Sequence, residues 1–542
     1  MQPLRPWQRL ALFGLALACM VGLGLTVANA SKDPHVQAAI HGGKYPANPG
    51  TENRAIVDNQ TSSSRTWPMF GGTLERNMVN LVDKNLPSEV DVDSGKNILW
   101  AVDLGSQSYG NPVIAGGKIF VGTNNGAPRN PKYEGDKGVV MCFAEADGKF
   151  LWQAVHDKLE SGRVNDWPEQ GVCSSPFIEG NRLYYVSNRC ELVCADVNGP
   201  LDGRQGPANP ARNDPTDADI IWKLDMMKEL GVFPHNLAVC SPIIVGENIF
   251  ILTGNGHDES HENIPAPQAP SFICVNKNTG KVRWTNNYPG NKILHGQWSN
   301  PCYAVIQGVP QVIFAGGDGW VRAFEPDNGK ELWKFDCNPK AAVYKLGGKG
   351  TRNYIIATPV VWENKVYINT GQDPEHGDGV GHLWCIDPTK AKGRPDADLS
   401  PVNDNFDPKA AANKDSGLVW HVGGADEKGE LRWRRSMSSA AIKDGLLYQC
   451  NLPGYICCFD AKTGEKFWEH DALTNLWGSC YVADGKIYVG TEEGDLLVFK
   501  EGKEKKLLGK YDLKAPVLST PVAVNGVLYV MTKNKLYALK NK

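Results

Sequence analysis

The 542-residue sequence contains no Cys-x-x-Cys-His motif, so it gives no support for a covalently attached c-type haem. Its charge is not biased to one sign, because 57 Lys and Arg stand against 60 Asp and Glu and both kinds are dispersed. Without a basic patch the chain has no electrostatic footprint for nucleic acid, and we expect no nucleic-acid partner. Beyond residue 27 no apolar run is long enough to span a bilayer, so the mature chain is expected to lack a transmembrane span.

Cysteine usage gives little sign of a disulfide scaffold. The chain has 14 Cys, of which Cys19 lies in an apolar N-terminal stretch. The remaining number is odd, which argues against a complete disulfide framework. Most of these residues recur at equivalent positions of short apolar runs, as expected of small core side chains. A bridge of Cys190 with Cys194, or of Cys173 with Cys190, is an alternative in an oxidising compartment that the sequence leaves open.

The first 30 residues have the features of a signal peptide. Arg5 and Arg9 precede an apolar stretch, and a small-residue cleavage site lies just before Ser31. Export is therefore the favoured interpretation, with a periplasmic or otherwise exported location. Cys19 follows a sequence similar to a bacterial lipoprotein box but lacks the expected Leu three residues earlier, so anchoring through Cys19 is the less favoured alternative.

The composition changes after this leader. Residues 31–65 are rich in Pro, Gly, Asn and Ser and poor in large apolar side chains, which predicts a flexible linker. Repeats then continue to the C-terminus. We therefore expect residues 66–542 to form one large domain.

A short motif that ends in Trp recurs along this domain. It follows an Asp/Asn-x-x-Gly-Lys turn, as in residues 147–152 and 278–284. The Trp positions are 100, 152, 222, 284, 333, 420 and 468. Further along each repeat, an Asn-Pro, Ser-Pro or Thr-Pro pair opens an apolar run, and a two-residue turn leads into the next run. This spacing predicts β-hairpins with primed turns.

Four short antiparallel strands make up one repeat. Such a unit cannot bury both sheet faces alone, so neighbouring units must stack, and closure into a ring removes the exposed edges. Counting third strands predicts an all-β, eight-bladed β-propeller. The last repeat has no Trp strand after residue 539, and we expect residues 97–102 to supply it and close the ring.

The repeat unit resembles the pyrroloquinoline quinone (PQQ) repeat. The similarity lies in Ser-x-Pro-Val, Gly-Lys-Ile-Tyr-Val-Gly and Asp-x-x-Thr-Gly-Lys-x-x-Trp, and it extends over residues 67–539. The resemblance implies a structural role for the repeat Trp, which packs adjacent blades together. It also implies two quite different functions, because PQQ-dependent alcohol dehydrogenases hold quinone and calcium whereas the outer-membrane assembly lipoprotein is a scaffold. The shared repeat therefore does not fix function.

Site residues implied by the resemblance are incomplete. Residues 251–256 are similar to a Thr-Gly-Asn-Pro stretch in the dehydrogenases, which makes Asn255 a candidate calcium ligand, although the same residues also suit an ordinary turn. Ser299 stands where the catalytic Asp is expected, and Ser has no basic group near neutral pH. Trp298 beside it is a candidate cofactor contact. The Cys457–Cys458 pair resembles a vicinal disulfide of these enzymes, but its place inside a strand favours two core cysteines.

Two interruptions of the repeat are dense in His and acids and are expected to face each other across one mouth of the ring. Imidazole and carboxylate ligands suit Zn²⁺, Mn²⁺ or Fe²⁺, with polar surface loops as the alternative. The candidate metal ligands, besides Asn255, are His257, Asp258, His261, Asp373, His376, Asp378 and His382. Arg352, in a basic group near the channel, and Trp477, in a loop leading into an inner strand, are further candidate cofactor contacts.

These observations favour an exported, catalytically degenerate propeller that acts as a binding or assembly scaffold in the bacterial cell envelope. Its expected partners are envelope proteins or a small molecule in the central channel. The alternative is an atypical PQQ-dependent oxidoreductase with PQQ and calcium as cofactors. A third hypothesis is metal-assisted hydrolysis at the His-rich loops.

Overall fold

The computed structural model describes residues 65–200 and 214–542. The predicted signal peptide and, except for Arg65, the predicted linker lie outside these residues. Within the described ranges, no helix is both long and apolar enough to cross a membrane.

The chain folds into eight antiparallel sheets of four strands each, which confirms the predicted eight-bladed propeller. Blade 1 consists of Val113–Ala115, Lys118–Asn124, Lys137–Ala144 and Phe150–Asp157, and blade 2 of Phe177–Glu179, Arg182–Val186, Glu191–Asp196 and Ile220–Asp225. Blade 3 consists of Ile243–Val245, Asn248–Leu252, Phe272–Asn276 and Val282–Asn286, and blade 4 of Cys302–Ile306, Val309–Ala315, Trp320–Phe324 and Glu331–Asp336. Blade 5 consists of Val360–Trp362, Lys365–Asn369, His382–Ile386 and Leu418–Gly423, and blade 6 of Ala441–Lys443, Leu446–Cys450, Tyr455–Asp460 and Lys466–Asp471. Blade 7 consists of Tyr481–Ala483, Lys486–Gly490, Asp495–Lys500 and Leu507–Asp512. Blade 8 consists of Val522–Val524, Val527–Met531 and Lys535–Leu539, with Ile98–Asp103 as its fourth strand.

Few other elements interrupt the blades. Val79–Asn80 pairs in parallel with the first strand of blade 7, and Ala397–Asp398 with the last strand of blade 4. One short α-helix spans Met226–Leu230. Short 3₁₀ turns occupy Gly162–Val164, Gly290–Lys292, Leu346–Gly348, Pro374–His376, Pro388–Ala391 and Ala411–Asn413.

The ring closes as predicted. Ile98–Asp103 forms the outer strand of blade 8, antiparallel to Lys535–Leu539, with Trp100 opposite Ala538. The two ends of the domain therefore share one sheet, which leaves no open blade at either end. Middle strands are buried on both faces because blades stack on each side of them, and this explains continuous apolar runs such as residues 139–143.

The repeat motif holds neighbouring blades together through a Trp–Gly contact. The Trp in the last strand of one blade packs against a Gly in the turn before the last strand of the next blade, so closely that a Cβ on that Gly would collide with the indole. This contact pairs Trp100 with Gly148, Trp152 with Gly199, Trp222 with Gly280, Trp284 with Gly329 and Trp420 with Gly464. Several of these indole N–H groups also donate to a carbonyl of the next blade, for example Trp284 Nε1 to Pro326 O at 2.9 Å. The Trp is therefore structural, as the resemblance implies.

A ring of hydrogen bonds surrounds the channel where the inner strands begin. A polar residue stands at the start of each inner strand, and in six blades it precedes a Pro. At seven of the eight blade junctions this residue bonds to its counterpart in the next blade, the exception being the junction between Thr358 and Ser439. Seven such bonds at 2.6–3.0 Å connect Asn111, Ser175, Ser241, Asn300 and Thr358 in one series, and Ser439, Ser479, Thr520 and Asn111 in the other. These short polar side chains thus fix the relative position of the inner strands.

Residues 67–80, which we call the N-terminal plug, close one end of the channel. Hydrogen bonds connect this segment to inner strands or their first residues in all eight blades, at Ile114, Ile178, Pro242, Tyr303, Val361, Ile442, Val482 and Ala523. Arg76 is fully buried, and its guanidinium donates to four carbonyls at 2.7–3.1 Å, those of Phe70, Ser241, Pro242 and Pro301. The channel therefore opens at the opposite end only.

The cysteines behave as core residues. All thirteen described Cys are free thiols, and every one except Cys173 is buried. Cys173 is half-buried, and desolvation of its thiol raises the pKa to about 12, so it is protonated at neutral pH. Cys457 and Cys458 are adjacent buried residues of one strand in blade 6, without a vicinal bridge.

Candidate metal centre beside the channel

Four imidazoles meet at the open face of the propeller. His235 and His295 lie in the loops that lead into the inner strands of blades 3 and 4, and His257 and His261 lie in the loop between the second and third strands of blade 3. One ring nitrogen from each of the four falls within 4.8 Å of the others. Gly256 allows the loops to approach, because a Cβ there would lie 2.5 Å from the His235 Cβ.

Hydrogen bonds fix the tautomer of three of these rings. His235 Nδ1 lies 2.8 Å from the His257 carbonyl, and His257 Nε2 lies 3.1 Å from the Leu294 carbonyl. His295 Nδ1 lies 2.8 Å from a carboxylate oxygen of Asp373. Since these oxygens can only accept, the named nitrogens carry the hydrogens, and the opposite nitrogen of His235 and of His257 presents a lone pair.

Ring nitrogens of the fixed imidazoles converge on one point. His235 Nε2 and His295 Nε2 are 3.0 Å apart, and His257 Nδ1 is buried with no hydrogen-bond partner among the described residues. A positive charge, carried by a proton or by a metal ion, must lie between two nitrogens at this distance. Histidines that bind metals characteristically donate their other N–H to a carbonyl or carboxylate, as all three do here.

The fourth ring differs from the other three. His261 is partly exposed, and within the described chain no hydrogen bond holds either of its ring nitrogens. Its ring contacts those of His235, His257 and His295 with centroids 4.7–5.0 Å apart. The cluster thus has three imidazoles held by hydrogen bonds and one held by ring contacts alone.

Burial keeps His235 and His257 neutral. It lowers the pKa of His235 to about 2 and that of His257 to about 3, with the neighbouring imidazoles adding to the effect. Burial also lowers the pKa of His261. Neutral imidazole is the form that binds metal ions, so near neutral pH these ligands need not lose a proton.

Asp373 and His376 support the cluster from blade 5. Asp373 accepts from His295 through one oxygen and from His376 Nδ1 at 2.8 Å through the other. His376 Nε2 also lies 2.8 Å from the Gly347 carbonyl, so both nitrogens must donate and the ring carries a positive charge. Although burial favours its neutral form, hydrogen bonds from the two imidazoles hold the pKa of Asp373 well below its ordinary value. The carboxylate orients His295, and His376 compensates its charge.

The donor set selects the kind of metal. A tetrahedral ion with bonds of about 2.0–2.1 Å holds its ligand nitrogens about 3.3 Å apart, which the four rings reach with small adjustments. Imidazole nitrogens suit Zn²⁺, Cu²⁺, Fe²⁺ or Ni²⁺, whereas Ca²⁺ takes oxygen ligands. The cluster is therefore a candidate transition-metal site.

The structure brings together some of the predicted metal ligands, namely His257, His261, Asp373 and His376, and not the rest. Asp258 binds Asn263 and Ser260 of its own exposed turn. Asp378 is exposed and forms an ion pair with Arg434. His382 stacks on His421 with centroids 5.2 Å apart, outside the cluster.

Asn255 adopts the alternative of an ordinary turn. Its side-chain oxygen accepts from the Phe233 N–H at 3.0 Å, and its amide nitrogen donates to the Ala266 carbonyl at 2.9 Å. Ser299 is buried and donates to the Ala357 carbonyl at 2.7 Å, so neither residue is available to a cofactor in the channel.

The predicted cofactor contacts divide between two cavities. Trp298 and Trp477 line the central channel, which encloses about 440 Å³. Arg352 lines a separate cavity, where its guanidinium is bound to Asp336 and to the Asp318 carbonyl. Trp298 packs against His235 and His295, with ring centroids 6.0 and 5.1 Å away, and lies between the histidine cluster and the channel.

The residues present do not fit a calcium–quinone site. PQQ is a polycarboxylate, and a binding pocket for it requires cationic partners. Among the described residues that line the channel there is no Lys, Arg or His. Asn255, the candidate calcium ligand, is committed to its turn, and Cys457 and Cys458 form no vicinal disulfide.

Sequence reasoning missed His235 and His295 as ligands. Each is a single His without a neighbouring acid, so neither belongs to a recognisable metal motif. Their position was nevertheless informative, because both lie in loops leading into inner strands, as Trp477 does. Applying that positional argument to every His of such loops would have found both.

Comparison with known proteins agrees with the repeat pattern. A family model described as outer membrane protein assembly factor BamB matches residues 452–542. The quinoprotein ethanol dehydrogenase of Pseudomonas putida is 22% identical over 84% of this chain and 67% of its own length. The chain is a PQQ-repeat β-propeller. This propeller is related both to the assembly factor and to quinoprotein alcohol dehydrogenases.

Two further similarities define how far the relationship extends. The polyvinylalcohol dehydrogenase of Pseudomonas sp is 25% identical over 54% of the chain, and the match covers 58% of that protein. The structure of a europium-containing methanol dehydrogenase superposes with a TM-score of 0.57 at 11% identity, over 90% of this propeller and 100% of that chain. At that identity the superposition shows a shared fold. The propeller spans little more than half to two thirds of these curated relatives.

Proposed function

We propose that this propeller is a metalloprotein that binds a transition-metal ion through His235, His257 and His295, with His261 as a fourth, displaceable ligand. The observation that carries the proposal is the convergence of four imidazoles, three of them held by hydrogen bonds on the far side of the ring. His257 Nδ1 is buried without a partner among the described residues, as expected of a metal ligand.

The arrangement favours a catalytic role for the metal. Structural zinc sites use four fixed ligands, whereas catalytic sites keep one position for water or substrate. His261 is the ligand without a supporting hydrogen bond and the one reached from solvent. A metal ion whose fourth ligand can leave activates a bound water or polarises a substrate oxygen, which suits metal-assisted hydrolysis.

Metal content tests this proposal directly. The purified full chain is expected to contain one transition-metal ion per molecule by elemental analysis, and chelator-treated protein is expected to bind Zn²⁺ or Cu²⁺ with the same stoichiometry in calorimetry. Absence of both would contradict the proposal. A parallel sample receives PQQ and Ca²⁺, because a bound-quinone absorption with dye reduction by alcohols would instead support an atypical PQQ-dependent oxidoreductase.

A second candidate function is that of an exported binding or assembly scaffold in the cell envelope. It is supported by the match of residues 452–542 to the assembly-factor family and by the predicted signal peptide. A ring of eight blades presents a large rigid surface for partners, and such a role needs no catalytic residue. The two functions are compatible, since the metal site occupies loops of blades 3 to 5.

The scaffold role predicts a reproducible envelope partner. Affinity capture of the full chain from envelope extracts is expected to recover the same protein at constant stoichiometry, and the purified pair is expected to co-elute in size-exclusion chromatography. A variant without the metal cluster, such as His257→Ala, is the control and should retain the partner. Failure to recover any stoichiometric partner, together with robust quinone-dependent oxidation, would exclude this role.

A further inference from the structure

The central channel is a blind pocket. Phe70 of the N-terminal plug lies at one end, and the walls are made by residues that precede the inner strands. Aromatic rings dominate the wall: Trp167, Trp298 and Trp477 all line it, and Tyr109 lies beside Trp477 with centroids 5.9 Å apart. A cavity of about 440 Å³ with this lining falls in the size range of small-molecule sites.

The charge of the wall limits what can bind. Asp373 and Glu375 are the only carboxylates among the lining residues, and no basic residue of the described chain lines the cavity. Asp373 is already compensated by His295 and His376. An anion would therefore enter without a counter-charge, which is costly in an apolar cavity. Glu375 is exposed, so it gives no buried partner for a cation.

Two N–H donors in the wall lack partners. The side-chain nitrogen of Asn111 and the indole nitrogen of Trp477 are both buried, and neither has a hydrogen-bond acceptor among the described residues. Asn300 holds the equivalent position to Asn111 in blade 4, yet its amide is satisfied on both sides by Ser241 and Thr358. Unpaired donors in a ligand-sized cavity indicate a ligand that carries a hydrogen-bond acceptor.

We propose that the channel binds an uncharged aromatic molecule that bears a carbonyl or similar oxygen acceptor. Its ring packs among Tyr109, Trp298 and Trp477, and its oxygen accepts from Trp477 Nε1 or Asn111 Nδ2 after a small side-chain rotation. The polar groups of the hydrogen-bonded ring around the channel are mostly paired with one another, so they leave few partners for a polyhydroxylated ligand. The site does not require the proposed metal function, because no histidine of the cluster lines it, although Trp298 and Asp373 border both.

A matched set of probes separates charge from shape. Binding of 2-naphthamide to the full chain is measured by calorimetry and by quenching of Trp fluorescence, alongside 2-naphthoate, 2-naphthamidine and 2-methylnaphthalene. The amide is expected to bind most tightly, with the carboxylate about tenfold or more weaker because its charge is buried without a partner. Equal or tighter binding of either charged probe, or no binding of the amide, would overturn the proposal.

The variant Trp477→Phe tests the hydrogen bond. It keeps an aromatic ring but removes the N–H, so affinity for 2-naphthamide is expected to fall about fivefold, the effect of one hydrogen bond, while that for 2-methylnaphthalene stays nearly constant. Trp362→Phe, outside the cavity wall, is the matched control and should change neither. If Trp477→Phe weakens both probes equally, the hydrogen bond is refuted.

Metal binding is followed in the same samples. Chelator-treated protein and the His257→Ala variant are expected to bind 2-naphthamide as the untreated protein does, since the cluster contributes no residue to the wall. Loss of ligand binding in both would show that the channel site is not independent and would overturn this inference. Loss of metal alone contradicts only the proposed metal function.

Discussion

Replacing His295 with alanine is expected to abolish stoichiometric metal binding. His295 connects the cluster to its support, because Nε2 faces His235 at 3.0 Å while Nδ1 donates to Asp373. Its loss removes one proposed ligand and also leaves one oxygen of Asp373 without its hydrogen-bond donor. The affinity for Zn²⁺ should therefore fall by more than the roughly 10–100-fold that loss of a supporting residue alone costs. Calorimetry on chelator-treated protein measures the change.

Asp373→Asn provides the graded comparison. The amide can still accept from His295 but no longer carries a charge, so Zn²⁺ affinity is expected to fall within the roughly 10–100-fold range. Asp378→Asn in the same loop is the control, because Asp378 is exposed and pairs with Arg434 instead. Equal metal affinity in wild type, His295→Ala and Asp373→Asn, with unchanged circular dichroism, would refute the cluster as the metal site.

The ring could be predicted from sequence because its contacts repeat. A Trp that must pack on a Gly of the next blade appears as a Trp and a Gly-Lys turn in successive repeats, and both are visible without a structure. The absence of a Trp strand after residue 539 likewise indicated that Ile98–Asp103 would complete blade 8. Local periodicity thus determined blade number and closure.

The candidate metal centre could be predicted only in part because its residues do not repeat. His257 and His261 were recognisable within one dense loop, whereas His235 and His295 come from single positions in other loops and meet them only in the folded ring. Asp373 is expected to orient His295 rather than to bind the metal, because its two oxygens lie 2.8 Å from His295 and His376. The spacing of residues along the sequence does not reveal these distances. Loops that are far apart in the sequence come together only when the ring is folded, so their contacts cannot be read from local sequence patterns.

The N-terminal plug shows the same limit. Residues 67–80 precede the first complete repeat and contain no repeat motif, so nothing in the sequence indicated that they would contact all eight blades. Their effect on function is indirect but large. Because Phe70 lines the channel, these residues close it at one end and make it a pocket rather than an open passage.

The substitution Arg76→Leu is expected to destabilise the propeller strongly. The guanidinium is fully buried and donates to the carbonyls of Phe70, Ser241, Pro242 and Pro301. A leucine occupies part of the space but leaves these acceptors without their donor. At about 1 kcal/mol for each lost pairing, the free energy of unfolding should fall by roughly 4 kcal/mol in denaturant titrations. Arg283→Leu, at an exposed position, is the control and should stay within about 0.5 kcal/mol of wild type.

Hydrogen exchange shows where this loss of stability arises. If Arg76 anchors the plug, the amides of Ile178, Tyr303, Val361 and Val482, which donate to plug carbonyls, should exchange faster in Arg76→Leu than in wild type. Middle-strand amides, which lie within complete blades, should keep their order of protection because the Trp–Gly contacts remain. Uniformly faster exchange would instead mean that Arg76 stabilises the whole ring. Unchanged exchange at these four amides would show that the plug holds without Arg76, since its many backbone hydrogen bonds to the inner strands would then suffice.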